Sequence, residues 1–260
     1  MESSQANPHP LADISRRVWI RWGDAGEPYE NTSTIVLTAP SQTFIDVRVL
    51  KTSLQSEATV DGEKAIDISS LEWAFSGVAA TEDRDGICHK TWTHYIDSRS
   101  PYGTDPPMDE GDMFPEPNGV LCREKGRMVN PETGEMSHYE EMWESVEAHA
   151  TDADTNKWCL VAAATAEEHK ARGTLIRVGQ FIQCLLIVDD EVNVERWVYA
   201  GAGDSQTGDG DPKGWARTIK LGPRALPCAR FFRAAECKEG EPLEDAAQLW
   251  TWTVTEKASW

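Results

Sequence analysis

Leu71-Glu72-Trp73-Ala74-Phe75-Ser76-Gly77, the charged turn Glu82-Asp83-Arg84-Asp85-Gly86 and the return Thr91-Trp92-Thr93-His94-Tyr95-Ile96-Asp97-Ser98 decide the fold. Two runs rich in aromatic and β-branched residues flank an Asp-Gly pair, the strongest short-range signal for a β-hairpin. Strand side chains alternate between faces, so Trp73, Phe75 and Gly77 share one face and Glu72, Ala74 and Ser76 the other. On the return strand the same rule sets Trp92, His94 and Ile96 against Thr93, Tyr95 and Asp97. Small residues opposite large aromatics suit a tightly curved sheet, so the hairpin reads as the centre of a β-barrel.

Working outward, Val18 to Trp22 reads as a first strand, and Ser33 to Thr38 and Thr43 to Leu50 as a pair joined by Ala39-Pro40-Ser41-Gln42. In the latter strand Ile45, Val47 and Val49 face one way and Asp46 and Arg48 the other, the alternation of a half-buried strand. Lys51 to Lys64 is a polar loop. Pro101 to Asn118, rich in Pro, Asp and Gly, reads as an irregular loop, either a functional lid or disordered. A strand is expected over Gly119 to Lys125, then a turn at Asn130 to Gly134. Met136 to Val146 fits strand or helix.

The polar run Ala148 to Asn156 reads as a boundary, giving a tail over 1–17, a first barrel over 18–150 and a second over 151–260. In the second half, Trp158 to Ala163 opens as a strand and Thr165 to Ala171 as a short helix. The apolar run Thr174 to Val188 reads as one long bent strand, with Val192 to Ala200 pairing back onto it. Strands are expected near Ala216 to Leu221, Ala229 to Cys237 and Gln248 to Glu256. The fold class is therefore mainly β: two antiparallel barrels packed together, with few short helices.

The 260 residues carry a formal charge of -19. That balance argues against nucleic-acid or anionic-membrane partners, which need clustered Lys and Arg. Eleven tryptophans supply large apolar area for a core or a pocket. No stretch is apolar for long enough to span a bilayer, and the polar N-terminus lacks a secretory h-region. The six cysteines form no C-x-x-C pair, so reduced thiols in a cytoplasmic protein are expected, with no metal site. Nucleophile-elbow, zinc-binding and Rossmann patterns are missing. The Gly/Asp-rich loop Gly201 to Gly214, with Asp204, Asp209 and Asp211, lacks the terminal Glu of a calcium loop and reads as solvated.

Glu72 to Gly77, His94 to Ser98, Tyr139-Glu140-Glu141-Met142-Trp143 and Val178-Gly179-Gln180-Phe181-Ile182-Gln183 carry a further signal. In these blocks, in matching order from first strand to last, the chain resembles the fungal HRI family, lipocalin-like proteins named for interacting with a casein-kinase-I-type kinase. The resemblance implies two lipocalin-like barrels and no cofactor. Fungal hetero-Diels–Alderases of tropolonic sesquiterpenoid pathways, which join a tropolone ortho-quinone methide to a macrocycle such as humulene, are similar compact β-barrels. By that analogy the expected function is a cofactor-free pericyclase acting on hydrophobic small molecules. The alternative is a non-catalytic ligand-binding or kinase-interaction protein, and a homodimer is compatible with either.

For a pericyclase, His94 would act as general acid or base, against a satisfied barrel-wall histidine. Arg177 and Gln183 would hold an enolate-like oxygen, against a salt bridge from Arg177 to a carboxylate. Trp73, Phe75, Trp92, Tyr95, Trp143 and Phe181 are the candidate binding surface, against simple core. An enzyme should show an aromatic cavity with convergent polar groups. An interaction protein should show a filled barrel and an exposed apolar patch.

Overall fold

The computed structural model describes residues 11–54, 59–60, 63–64, 66–106, 108–151, 156–201, 214–243 and 250–260. Its first half runs β1 (Asp13–Trp22), β2 (Thr32–Thr38), β3 (Thr43–Leu50), a helical turn α1 (Lys51–Leu54), β4 (Thr59–Val60) and β5 (Glu63–Lys64). It continues through β6 (Leu71–Arg84), β7 (Ile87–Asp97), β8 (Asp109–Pro115), β9 (Leu121–Val129) and β10 (Met136–Ser145). Eight of these close into an antiparallel barrel in the order β1-β10-β9-β8-β7-β6-β3-β2, and β4 and β5 pair separately. The second half holds β11 (Trp158–Ala166), β12 (Ala171–Val178), β13 (Phe181–Val188), β14 (Glu191–Tyr199), β15 (Trp215–Leu221), β16 (Pro242–Leu243) and β17 (Trp252–Ser259). These form a seven-stranded sheet ordered β15-β14-β13-β12-β11-β17-β16. The chain is mainly β, as expected. Where two barrels were expected, the closed one is the first, and the second unit is this sheet.

The central hairpin forms where the sequence places it. Arg84 pairs with Ile87 across Asp85-Gly86, whose φ angles of 56° and 82° are those of a type I′ turn. The expected face pattern breaks at one residue. The register steps from Ser76–Ile96 to Gly77–His94, leaving Tyr95 as the extra residue of a β-bulge. His94 and Asp97 therefore both point into the barrel, Ile96 points outward into an apolar layer, and Tyr95 is exposed. A Cβ at Gly77 would lie 1.8 Å from the Thr93 carbonyl oxygen, so the bulge needs glycine there.

The alternation read in β3 is real, but its polar side is not the solvent side. Ile45, Val47 and Val49 point out of the barrel and pack, with Ile14, Leu37, Ala74 and Ile96, against Val161, Ile176, Val178, Leu185, Val194, Ile219 and Leu221 of the second sheet. Asp46 and Arg48 point inward and are buried too. The opposite face of the second sheet carries its own core, in which Leu160, Leu175, Ile182, Trp215 and Trp252 meet Phe231 and Phe232.

Other expectations are corrected. The first strand begins at Asp13, since Ile14 and Arg17 are already buried. Within Pro101 to Asn118, β8 pairs with both β7 and β9 and completes the barrel wall. Met136 to Ser145 is strand. Thr174 to Val188 belongs to two strands, β12 and β13, joined by the two-residue turn Gly179-Gln180. The run is continuously apolar because this sheet is buried on both faces. Thr165 to Ala171 contains only a 3-10 turn at Glu167–His169. Ala229 to Cys237 is not a strand but part of kinked 3-10 turns over Pro227–Glu236, burying Cys228, Phe231 and Phe232 at helical spacing. Asp204, Asp209 and Asp211 lie outside the described residues. Among the described residues no helix is long and apolar enough to cross a membrane.

The Gly77→Ala substitution forces the β6–β7 backbones apart. It should lower stability by about 2–3 kcal/mol or more, measured by urea unfolding.

Candidate functional site

Closing eight strands around polar inward residues leaves a cavity of about 330 Å³ inside the barrel. Asp13, Thr38, Pro115, Cys122 and Ser145, all at or next to strand ends, mark one rim. Its apolar wall is built from Val36, Phe44, Phe75, Trp92, Met113, Met128 and Trp143. Asp46, Arg48, Asp109, Glu124, Tyr139 and Glu141 supply polar lining, and Ser15, Cys88 and Lys90 complete it.

The deep polar groups form two linked sets. Arg48 donates to Asp46 Oδ2 at 2.8 Å and approaches Glu141 Oε1 at 3.5 Å. Arg17, on β1, bonds the same Glu141 oxygen at 2.6 Å and Glu30 at 2.7 Å. Arg17, Arg48, Asp46 and Glu141 are buried and the Glu30 side chain is 6% exposed, so each cation depends on its carboxylates. Removing one partner of such a pair costs about 3–5 kcal/mol.

The second set centres on Glu124, which accepts from the Tyr139 hydroxyl at 2.6 Å and from Trp143 Nε1 at 2.9 Å. Burial, reinforced by the charges of Glu141 and Asp109, pushes its carboxyl up to about 8. Near neutrality it is therefore mostly an uncharged acid. Gly126 makes room for this contact: it pairs with Tyr139 in the β9–β10 register, and a Cβ there would lie 2.4 Å from the Tyr139 hydroxyl oxygen.

His94 stands behind the wall, its ring stacked on Phe75 at 4.2 Å between centroids. Its Nδ1 faces Asp97 at 2.8 Å and its Nε2 faces Asp109 at 3.3 Å, and Trp73 Nε1 donates to Asp97 at 2.9 Å. Burial lowers the pKa of the imidazole, but the hydrogen bonds to Asp109 and Asp97 outweigh it and hold the group above its ordinary value. It reaches the cavity only through Asp109 and is the satisfied wall histidine rather than a group open to a ligand.

Of the other candidates, Phe75, Trp92 and Trp143 line the cavity. Trp73 packs behind it under Arg48, 5.1 Å from the ring centroid. Tyr95, carried outside by the bulge, meets Thr165 at 3.0 Å, and Phe181 lies against the layer between barrel and second sheet. Arg177 and Gln183 do not meet: their cross-strand partners, Ile182 and Ile176, lie on opposite faces of the second sheet. Arg177 donates to the carbonyls of Gly179 and Phe231 at 3.0 and 2.6 Å. Gln183 donates to the Ile35 and Ile45 carbonyls of the barrel and accepts from Arg196, stitching the two units together. The deep carboxylates and Tyr139 escaped the sequence reading, because an acid on an alternating strand ordinarily marks the solvent face.

Comparison with known proteins agrees with this architecture. The family model described as Protein HRI1 matches residues 13–256. The crystal structure of the uncharacterized protein YLR301w from Saccharomyces cerevisiae aligns with a TM-score of 0.67 at 18% identity, covering 96% of this chain and 100% of that one. At that identity the likeness is one of fold. No curated protein matches the chain.

Between the ordinary carboxylate range and about 8, folded Glu124 holds a proton that the unfolded chain has released, so its contribution to stability falls as pH rises through that window. Glu124→Gln removes this dependence. Urea melts from acid to mildly alkaline pH should show the variant gaining on the wild type by about 1.4 kcal/mol per pH unit across the window.

Proposed function

The chain belongs to the HRI1 family, and from that membership we propose that its barrel is a binding vessel for one small, largely apolar molecule carrying a polar head. The observation that carries this reading is the cavity itself, about 330 Å³ with aromatic walls and polar groups gathered at depth. Pockets for small ligands range over about 300–1,000 Å³ and combine apolar walls with a few placed polar groups. Phe44, Phe75, Trp92 and Trp143 supply the apolar surface, and Glu124, Tyr139 and Arg48 supply the polar end. The six free thiols are in keeping with a reducing, cytoplasmic setting.

The narrower reading, a hetero-Diels–Alderase joining a tropolone quinone methide to humulene, asks the same space to hold two reactants in one orientation. A volume near the lower end of the ligand-pocket range favours a single occupant. The charge-paired Arg48 and the Glu124–Tyr139 contact also leave few donors free to polarise a diene carbonyl. Binding of one ligand is therefore the function the geometry supports best.

Titration with a panel of small apolar alcohols, ketones and amines, followed by tryptophan fluorescence, tests it. Saturable quenching with one-to-one stoichiometry is expected, and Met113→Trp, which fills the wall, should weaken binding by about tenfold or more. Absence of saturation by every member of the panel would sink the binding reading.

A further inference from the structure

The cavity is unbalanced in charge in a way that its own residues do not resolve. Five carboxyl groups line it, Glu124 in its uncharged form and four others, against two cations, Arg48 and Lys90. Arg48 is committed to Asp46 and Glu141. Arg17, behind the lining, is committed to Glu30 and to the same Glu141 oxygen. His94 is flanked by a carboxylate on each side. Lys90, between Cys88 and Trp92 on β7, stands across the strand pair from Gly111, over which the Glu124 carboxyl packs, and makes no salt bridge to the lining acids among the described residues.

One deep acid is left incomplete. Asp46 is 2% exposed and part of the lining, and its Oδ1 has no hydrogen-bond partner among the described residues. A buried acceptor without a donor is costly, and native interiors rarely keep one. Glu124 lies in the same depth with two uncharged donors, Tyr139 and Trp143, as its partners. The aromatic rings of Phe75, Trp92 and Trp143 complete surroundings that favour a cation over an anion, because aromatic faces attract positive charge.

We propose that the ligand of this cavity is a small apolar amine bound as its ammonium ion, with its hydrocarbon part against the aromatic wall and its charged head among Asp46, Glu124 and Asp109. The assignment rests on the binding reading above and adds the sign of the head group. An ammonium supplies the donor that Asp46 Oδ1 lacks, and its charge favours ionisation of the Glu124 carboxyl beside it. A carboxylate ligand would meet the same oxygens as a like charge. A neutral alcohol would offer a single donor and no charge.

Isothermal titration calorimetry on the full chain at neutral pH decides between these, using 2-phenylethylamine, 2-phenylethanol and 3-phenylpropanoate as probes of similar size. The amine should bind saturably with one-to-one stoichiometry and about tenfold more tightly than the alcohol, with the carboxylate weakest. Glu124→Gln and Asp109→Asn should each shrink the ratio of amine to alcohol affinity toward one. Two variants are used so that misfolding of one leaves the other informative, and the wild-type comparison needs neither. If the alcohol or carboxylate binds as tightly as the amine, or if the amine preference survives both substitutions, the cationic assignment is overturned while a binding cavity stands. If none of the three binds, the cationic assignment falls, and the broader panel of the preceding section decides whether the vessel reading falls with it.

Discussion

The apolar layer between the outer wall of the barrel and one face of the second sheet is the constraint on which the rest of the structure depends. A water-soluble barrel ordinarily draws stability from the side chains that fill it. Here the inward positions of β1, β3, β9 and β10 carry Arg17, Asp46, Arg48, Glu124 and Glu141, groups that cost free energy to bury. The compensating burial lies outside. Ile14, Leu37, Ile45, Val47, Val49 and Ile96 turn outward onto Ile176, Val178, Leu185 and Val194, each such side chain contributing about 1.5–3 kcal/mol when fully removed from water. The interior is thereby released from the task of being a core and can be shaped as a polar-ended cavity.

That arrangement also explains why the second sheet is apolar on both faces. One face meets the barrel, and the other meets Phe231 and Phe232 of the 3-10 segment and the rings of Trp215 and Trp252. The polar groups that cross the first interface are held by backbone oxygens rather than by ions. Arg196, fully buried, donates to the Ser33 and Val47 carbonyls and to Gln183, and burial pulls its pKa down to about 9 against the opposing charge of Asp46. Gln183 and Arg196 thus fix the register of sheet on barrel where apolar contact alone would permit sliding.

Much of the fold was legible in the sequence because it rests on local signals. The Asp85-Gly86 turn, the alternation in β3 and the second-half strands through Ala200 follow from period and turn chemistry, apart from the Gly179-Gln180 turn that divides the apolar run. What escaped was set by tertiary geometry. The Tyr95 bulge exchanges the faces of Ile96 and Asp97, and nothing in the local pattern marks it except the opposing Gly77. Strand β8 hides in a stretch rich in Asp, Gly and Pro because its neighbours supply its hydrogen bonds and its own side chains supply little apolar area. The aromatic part of the cavity, Phe75, Trp92 and Trp143, could be read from composition. Its acidic depth could not, since a carboxylate looks the same in sequence whether it faces water or an enclosed space.

The pairing of β1 with β10 has a consequence for how the chain is made. These partners are separated by more than a hundred positions, with Arg17 facing Trp143 in the register. On a ribosome the first strand must wait for residue 145 before the ring can shut, and its outward apolar side chains wait longer, until the sheet that covers them has been synthesised. At elongation rates of about 5–20 residues per second, that leaves several seconds during which a half-built cylinder shows greasy flanks to its surroundings. The nascent chain is thus exposed to misassociation for much of its synthesis, and the factors that guard emerging polypeptides have their opportunity in that interval.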